Sequence, residues 1–120
     1  MKIRAIRGAT TVDQDVQAEV ATKTQELVRI MLERNEIGHD SLISIFFTAT
    51  EDIRSEFPAT AARAVGLGDV PLMCAREMNV VGSMPKCIRV MMHVETDRLA
   101  TEIHHVYLGK ARALRDDLPE

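Results

Sequence analysis

The chain is poor in aromatic residues: it has no tryptophan, one tyrosine and three phenylalanines, 3% in all. That removes the platform of stacked rings on which single-strand nucleic-acid binders lay successive bases. Positive charge is not in excess either. Fifteen lysines and arginines face eighteen aspartates and glutamates, a formal net charge of −3, so no bulk field draws a polyanion or an anionic membrane surface. Only two cysteines occur, Cys74 and Cys87, too few and too widely spaced for a disulfide framework or a structural zinc site. They suit a reducing compartment. The opening residues, MKIRAIRGATT, lack the apolar stretch of a secretory signal, and the longest strongly apolar run, 42–47, is broken by Ser44. A cytoplasmic protein is therefore expected.

What is present fits one globular domain: 120 residues, 46% hydrophobic and 28% charged. Residues 2–7 read as a strand, after which Gly8, Thr10, Thr11 and Asp13 punctuate the chain. From Asp15, the positions Val16, Val20, Leu27 and Met31 fall in a narrow arc at about 100° per residue. Acidic Asp13, Asp15 and Glu19 suit the positive end of such a helix, which should stop between residues 35 and 38. Residues 42–50, LISIFFTAT, carry the near-continuous apolar and β-branched character of a strand covered on both faces. Strand, helix, strand predicts a right-handed crossover. Phe57 and Pro58 open a short helix over 59–65, closed by Gly66 and Gly68. Further strands are predicted at 70–75, 86–94 and 103–108. The expected fold is α+β: a mixed sheet of about five strands with one long helix and one short helix.

Strand 86–94 is the most informative. Ile88, Val90, Met92 and Val94 alternate onto one face, and Cys87, Arg89, Met91 and His93 take the other. Arg89 thus points away from the apolar side and must meet solvent, a carboxylate or a ligand, because an unpaired buried guanidinium costs several kcal/mol. Eleven of the fifteen basic residues are arginine, the side chain whose fork grips a carboxylate with two hydrogen bonds. A solvated surface accounts equally well for most of them. Arg7, Arg63, Arg89 and Arg115 stand out by position, at a strand end, on the short helix, on a strand and after the last strand.

Searches for other chemistry fail. His104 and His105 are adjacent on a predicted strand and point to opposite faces, and no HExxH or aspartate-rich loop exists, so no metal site is expected. GxSxG, the P-loop and GxGxxG are absent. Cys74 has no visible base beside it and reads as packing. Met73, Met78, Met84, Met91 and Met92 read as adaptable packing too.

Five segments in order, IRAIRGATTV at 3–12, FTATEDIRSEFPATAAR at 47–63, VPLMCAREM at 70–78, PKCIRVMMHVETD at 85–97 and HHVYLGKARALRDDL at 104–118, resemble the monofunctional AroH-type chorismate mutases. The resemblance covers nearly the whole chain. It implies conversion of chorismate to prephenate on the route to phenylalanine and tyrosine, with no cofactor. It also implies a homotrimer packed as a pseudo-α/β barrel, with sites in the clefts between neighbours.

The same resemblance assigns roles. Arg89 faces the ether oxygen and a carboxylate of the substrate, Arg7 and Tyr107 hold carboxylates, and Glu77 accepts a hydrogen bond from the ring hydroxyl. Cys74 supplies a polar contact. Phe57, Ala59, Leu72 and Met73 are walls contributed by the adjacent subunit, while Arg63, Leu114 and Arg115 form the rim. Thr60 departs from relatives that carry a basic residue at that place. The same arginines also fit a non-catalytic module, trimeric as the resemblance implies, that binds a small carboxylate for regulation. Glu77 separates the two readings, because a site built only to hold a dianion gains little from a nearby carboxylate.

Overall fold

The computed structural model describes residues 1–114. Five strands form one mixed sheet: β1 (Lys2–Thr11), β2 (Leu42–Ala49), β3 (Leu72–Arg76), β4 (Cys87–Thr96) and β5 (Val106–Tyr107). Their order across the sheet is β3-β2-β4-β1-β5. The central strand β4 runs antiparallel to both β1 and β2, and the edge pairs β2–β3 and β1–β5 are parallel. Helix α1 (Gln17–Arg34) carries the chain from β1 to β2, and a short α2 (Pro58–Ala62) leads into a single wide turn, Arg63–Leu67, which Gly66 ends at a φ of 93°. Only a residue without a Cβ takes that φ readily.

One sheet face is covered. Val20, Leu27, Val28 and Met31 of α1 are buried with Ile6, Ile45, Phe47, Val90, Met92, Val94 and Val106. Gly8 lies in the row Val106–Gly8–Val90–Phe47 on that face, and a Cβ there would overlap Met31 Sδ and sit 3.1 Å from Leu27 Cδ1. The glycine lets the helix approach the strand. β1 consequently runs four residues beyond the predicted strand, Thr10 and Thr11 pairing with Ile88 and Cys87. Gly8 and the threonines are strand residues here and not punctuation.

Two further expectations are modified. Within the single chain β2 is covered on one face: Ile45 and Phe47 are fully buried, whereas Phe46 is 41% exposed. The predicted strand 103–108 shrinks to β5. The reason is Asn35, a buried side chain just past α1, whose Nδ2 donates to Met31 O and His104 O at 2.9 and 2.8 Å and whose Oδ1 accepts from His104 N at 2.7 Å. The carboxamide takes the backbone groups that a strand partner would need. His104 and His105 thus precede the strand.

At the start of α1, Glu19 accepts from the N–H groups of Asp13 and Gln14. Asp15 serves a different purpose from the one expected. Its carboxylate accepts from Arg54 N, Ser55 N and Ser55 Oγ, so it ties down the loop before α2, and the Ser55 hydroxyl leads in holding its carboxyl below the usual range.

Candidate active site

Residues opposed across a ladder share a face, so the register sorts the candidate residues. On the uncovered face one row reads Tyr107–Ala9–Arg89–Thr48–Ala75, and the next reads Arg7–Met91–Phe46–Met73. Ala9, between Tyr107 and Arg89, is fully buried with Cys87 and Ala111. On the same sheet face Arg7, Phe46, Thr48, Glu77, Arg89, Met91, Tyr107 and Leu114 line a cleft of ≈ 470 Å³. Leu114 arrives on a 3₁₀ segment, Gly109–Leu114, and packs with Tyr107 near buried Ala9, Cys87 and Ala111.

Two cations and one carboxylate meet in this cleft. Arg89 Nε lies 3.4 Å from Glu77 Oε2, and the Thr48 hydroxyl donates to the same oxygen. Glu77 is reached because its N–H donates to Ala49 O at 2.9 Å, which carries the β2–β3 ladder one residue past β3. Its side chain is 19% exposed against 48% for Arg89. A pair so open to water adds little to stability, and its value lies in placing charges. The Arg7 backbone N–H donates to His105 Nδ1 at 2.9 Å, which holds β1 against the segment before Tyr107. Below Arg89, Cys87 is buried; burial foremost pushes its thiol up, against the opposing pull of the Arg89 charge. Cys87 is thus a neutral thiol near neutral pH, not a nucleophile.

The remaining candidates lie elsewhere on the chain. Cys74 and Leu72 sit on the covered face, opposite Phe47 and Ile45, and Met73 alone of the three shares the face of Arg89. Ala59 N donates to Cys74 Sγ at 3.4 Å, joining α2 to β3. Phe57 and Cys74 line a second cleft of ≈ 460 Å³ with Phe47, Arg54, Glu56 and Arg76, and Thr48 borders both clefts. Arg76 Nη1 donates to Thr50 O and Ile53 O, which fixes the loop forming one wall of this cleft. Ala59 is buried and Arg63 is exposed at the end of α2. Arg115 lies outside the described residues. Thus Arg7, Glu77, Arg89, Tyr107 and Leu114 meet in one cleft, and Phe57 and Cys74 meet in another.

The chorismate mutase type I family model matches residues 3–118. The chain belongs to the type I chorismate mutases. It is 44% identical over 119 residues to the Bacillus subtilis chorismate mutase AroH, covering 98% of this chain and 94% of that protein. The Thermus thermophilus chorismate mutase AroH is 46% identical over 117 residues, covering 97% and 96%. A solved chorismate mutase from Clostridium thermocellum superposes with a TM-score of 0.90 at 49% identity, over 92% of this chain and 98% of that one. The five-stranded α+β architecture expected from the sequence is therefore that of a type I chorismate mutase.

Three polar groups escape a reading of the sequence, and of them Thr48 alone lines the cleft. Thr48 lies in a run that reads as continuous apolar strand, and only the β2–β4 and β2–β3 registers set it beside Arg89 and Glu77. Cys87 does fall on the Arg89 face by alternation, but nothing in the sequence marks it as buried. Asn35 reads as a helix stop, and its second role depends on a segment 69 residues away. Among the described residues no helix is long and apolar enough to cross a membrane, and no three His, Cys, Asp or Glu side chains gather as a metal-binding group.

Proposed function

We propose that the whole chain works as one chorismate mutase domain and converts chorismate to prephenate by an intramolecular Claisen rearrangement. One C–O bond breaks and one C–C bond forms within a single molecule, so no atom or proton is gained or lost. The task is to hold a flexible dicarboxylate in its compact reactive conformer and to stabilise charge that separates across the ether. Two arginines and one glutamate suit it. Arg89 donates to the ether oxygen as negative charge grows there, Arg7 and Tyr107 grip the carboxylates, and Glu77 accepts from the ring hydroxyl and faces the electron-poor ring. The observation that carries this reading is the convergence of Arg7, Arg89, Glu77 and Tyr107 on one cleft of the uncovered sheet face. A pocket that merely stored a dianion would gain nothing from the carboxylate.

The working form we propose is a homotrimer packed as a pseudo-α/β barrel, with each site shared by two subunits. Two features favour it. The uncovered face exposes Phe46, Met73 and Met91, apolar area that water disfavours. The candidate residues also divide between two clefts of one chain, and a ring built head to tail joins one patch of each subunit to a different patch of the next. In that ring the Phe57, Ala59, Met73 and Cys74 wall of one subunit closes the Arg89 cleft of its neighbour, with Leu72 behind it and Arg63, Leu114 and Arg115 at the rim. Such an enzyme serves phenylalanine and tyrosine synthesis in the cytoplasm.

The test is the initial rate of chorismate loss and prephenate gain for the wild type and Arg89→Ala, both in excess chelator. Turnover in the wild type that falls by about 10² to 10³ or more in the variant, with folding and oligomeric state intact, supports the reading. A fully active Arg89→Ala overturns the role of Arg89. A folded wild type without turnover overturns the activity and favours the carboxylate-binding module, which a ligand-dependent melting screen would then pursue.

A further inference from the structure

We infer that Thr48 is a positioning residue for the proposed rearrangement: its hydroxyl fixes the Glu77 carboxylate and, through it, the plane of the Arg89 guanidinium. The inference rests on the functional reading above. Thr48 stands directly opposite Arg89 in the β2–β4 ladder and opposite Ala75 in the β2–β3 ladder. Glu77 lies two residues beyond Ala75, on the same face, with its backbone held by Ala49 O at 2.9 Å. A diagonal neighbour at this spacing is within side-chain reach. One carboxylate oxygen then carries both contacts: Glu77 Oε2 accepts from Thr48 Oγ1 and lies 3.4 Å from Arg89 Nε.

The division of labour follows from what each group can donate. With Oε2 engaged, Oε1 is the oxygen left to take the substrate hydroxyl. The ion pair at Nε favours orientations of the planar Arg89 fork that keep Nε on the Glu77 side, which aims its remaining donors away from Glu77. Threonine suits the task because a β-branched side chain on a strand has few χ1 choices, so the backbone of β2 aims the hydroxyl. Valine would fill the same space and donate nothing. A donor aimed in advance stabilises developing charge without reorganising, and a displacement of about 1 Å at such a group can cost about 10²-fold in rate. Thr48 also borders the cleft that holds Phe57 and Cys74, so it stands where the two proposed half-sites would join.

The experiment compares wild type, Thr48→Val, Glu77→Ala and the double variant, with Thr48→Ser as the conservative control. The expected result is a fall of about tenfold or more in kcat for Thr48→Val with KM within about twofold, and recovery of most of that loss in Thr48→Ser. In the Glu77→Ala background, Thr48→Val should change the rate little further, because the carboxylate through which it acts is gone. Wild-type kcat in Thr48→Val, a loss that multiplies in full with Glu77→Ala, or Thr48→Ser as slow as Thr48→Val would each overturn the inference. If Thr48→Val does not fold, Thr48→Ala takes its place in the same comparison. A wild type inert towards chorismate overturns the functional reading instead; the coupling of Thr48 to Glu77 is then read from the melting temperatures of the same four proteins, and strictly additive shifts overturn it.

Discussion

The two faces of β4 are written by alternate residues of one strand and do different things. Ile88, Val90, Met92 and Val94 are at most 3% exposed beneath the covered face, whereas Arg89 and Met91 look outward from the other. The covered face is held by shape and hydrophobic burial, so its identity matters through volume. The open face packs only where Ala9 and Cys87 meet Ala111, so the rest of its residues are free to be chosen for charge. A cation such as Arg89, proposed here as catalytic, inherits on the central strand the rigidity of the packed side without sharing its dryness.

The sharpest way to break this comparison is Arg89→Ala. Its cost should be about 3 to 4 kcal/mol in the activation barrier, about 10² to 10³ in kcat, with a melting temperature close to that of the wild type. A large loss of melting temperature would show that the open face also holds the fold. Met92→Ala is the mirror experiment: about 2 to 5 kcal/mol of stability should go, while the folded fraction keeps its turnover rate. Gly8→Ala sits between the two. Its new Cβ pushes on Met31 and Leu27 from a residue adjacent to Arg7, so about 1 to 3 kcal/mol of stability should be lost, together with a measurable rise in KM. Unchanged KM would separate the packing of Gly8 from the grip of Arg7.

Cys74→Ala should cost less than about tenfold in kcat, because a polar contact and not a thiolate is lost. Complete inactivity with normal folding would restore a covalent role. The smallest effect concerns Cys87. Burial holds its thiol protonated above the ordinary value of 9.0, so above that pH the unfolded chain releases a proton that the folded chain keeps. Its contribution to stability is fully present below the ordinary thiol range and is lost as pH rises through it. Alkaline melting curves of Cys87→Ala should therefore fall less steeply than those of the wild type.

The alternation that separates these faces was legible in the sequence, because a period of two survives without knowledge of strand partners. The amphipathic stripe of α1 was legible for the same reason, with Val20, Leu27 and Met31 buried as expected, whereas Val16 precedes the helix and is 45% exposed. Strand ends were not. Thr10 and Thr11 pair with β4, and His104 is held by a side chain of a distant helix end, and neither fact has a local signature. At the site, Arg89 carried its own signal as a cation on an alternating strand. Arg7, Glu77 and Tyr107 gained weight only jointly, through the resemblance of five segments. Thr48 has a local identity that any strand would accept, and its contact with Glu77 comes from a register that one sequence does not encode visibly.

Asn35 binds the end of α1 to a segment 69 positions later, and His105 accepts from the Arg7 N–H across 98 residues. During synthesis on the ribosome, β1, α1 and β2 emerge long before Tyr107 does. The first strand then waits with one edge open, and the cleft lacks its Tyr107 wall. On the proposed assignment the substrate can be held fully only after β5 has closed against β1, however well the helix has packed. The proposed site is thereby tied to completion of the sheet, and a chain cut short before Tyr107 would lose an edge strand and a proposed carboxylate grip in the same stroke.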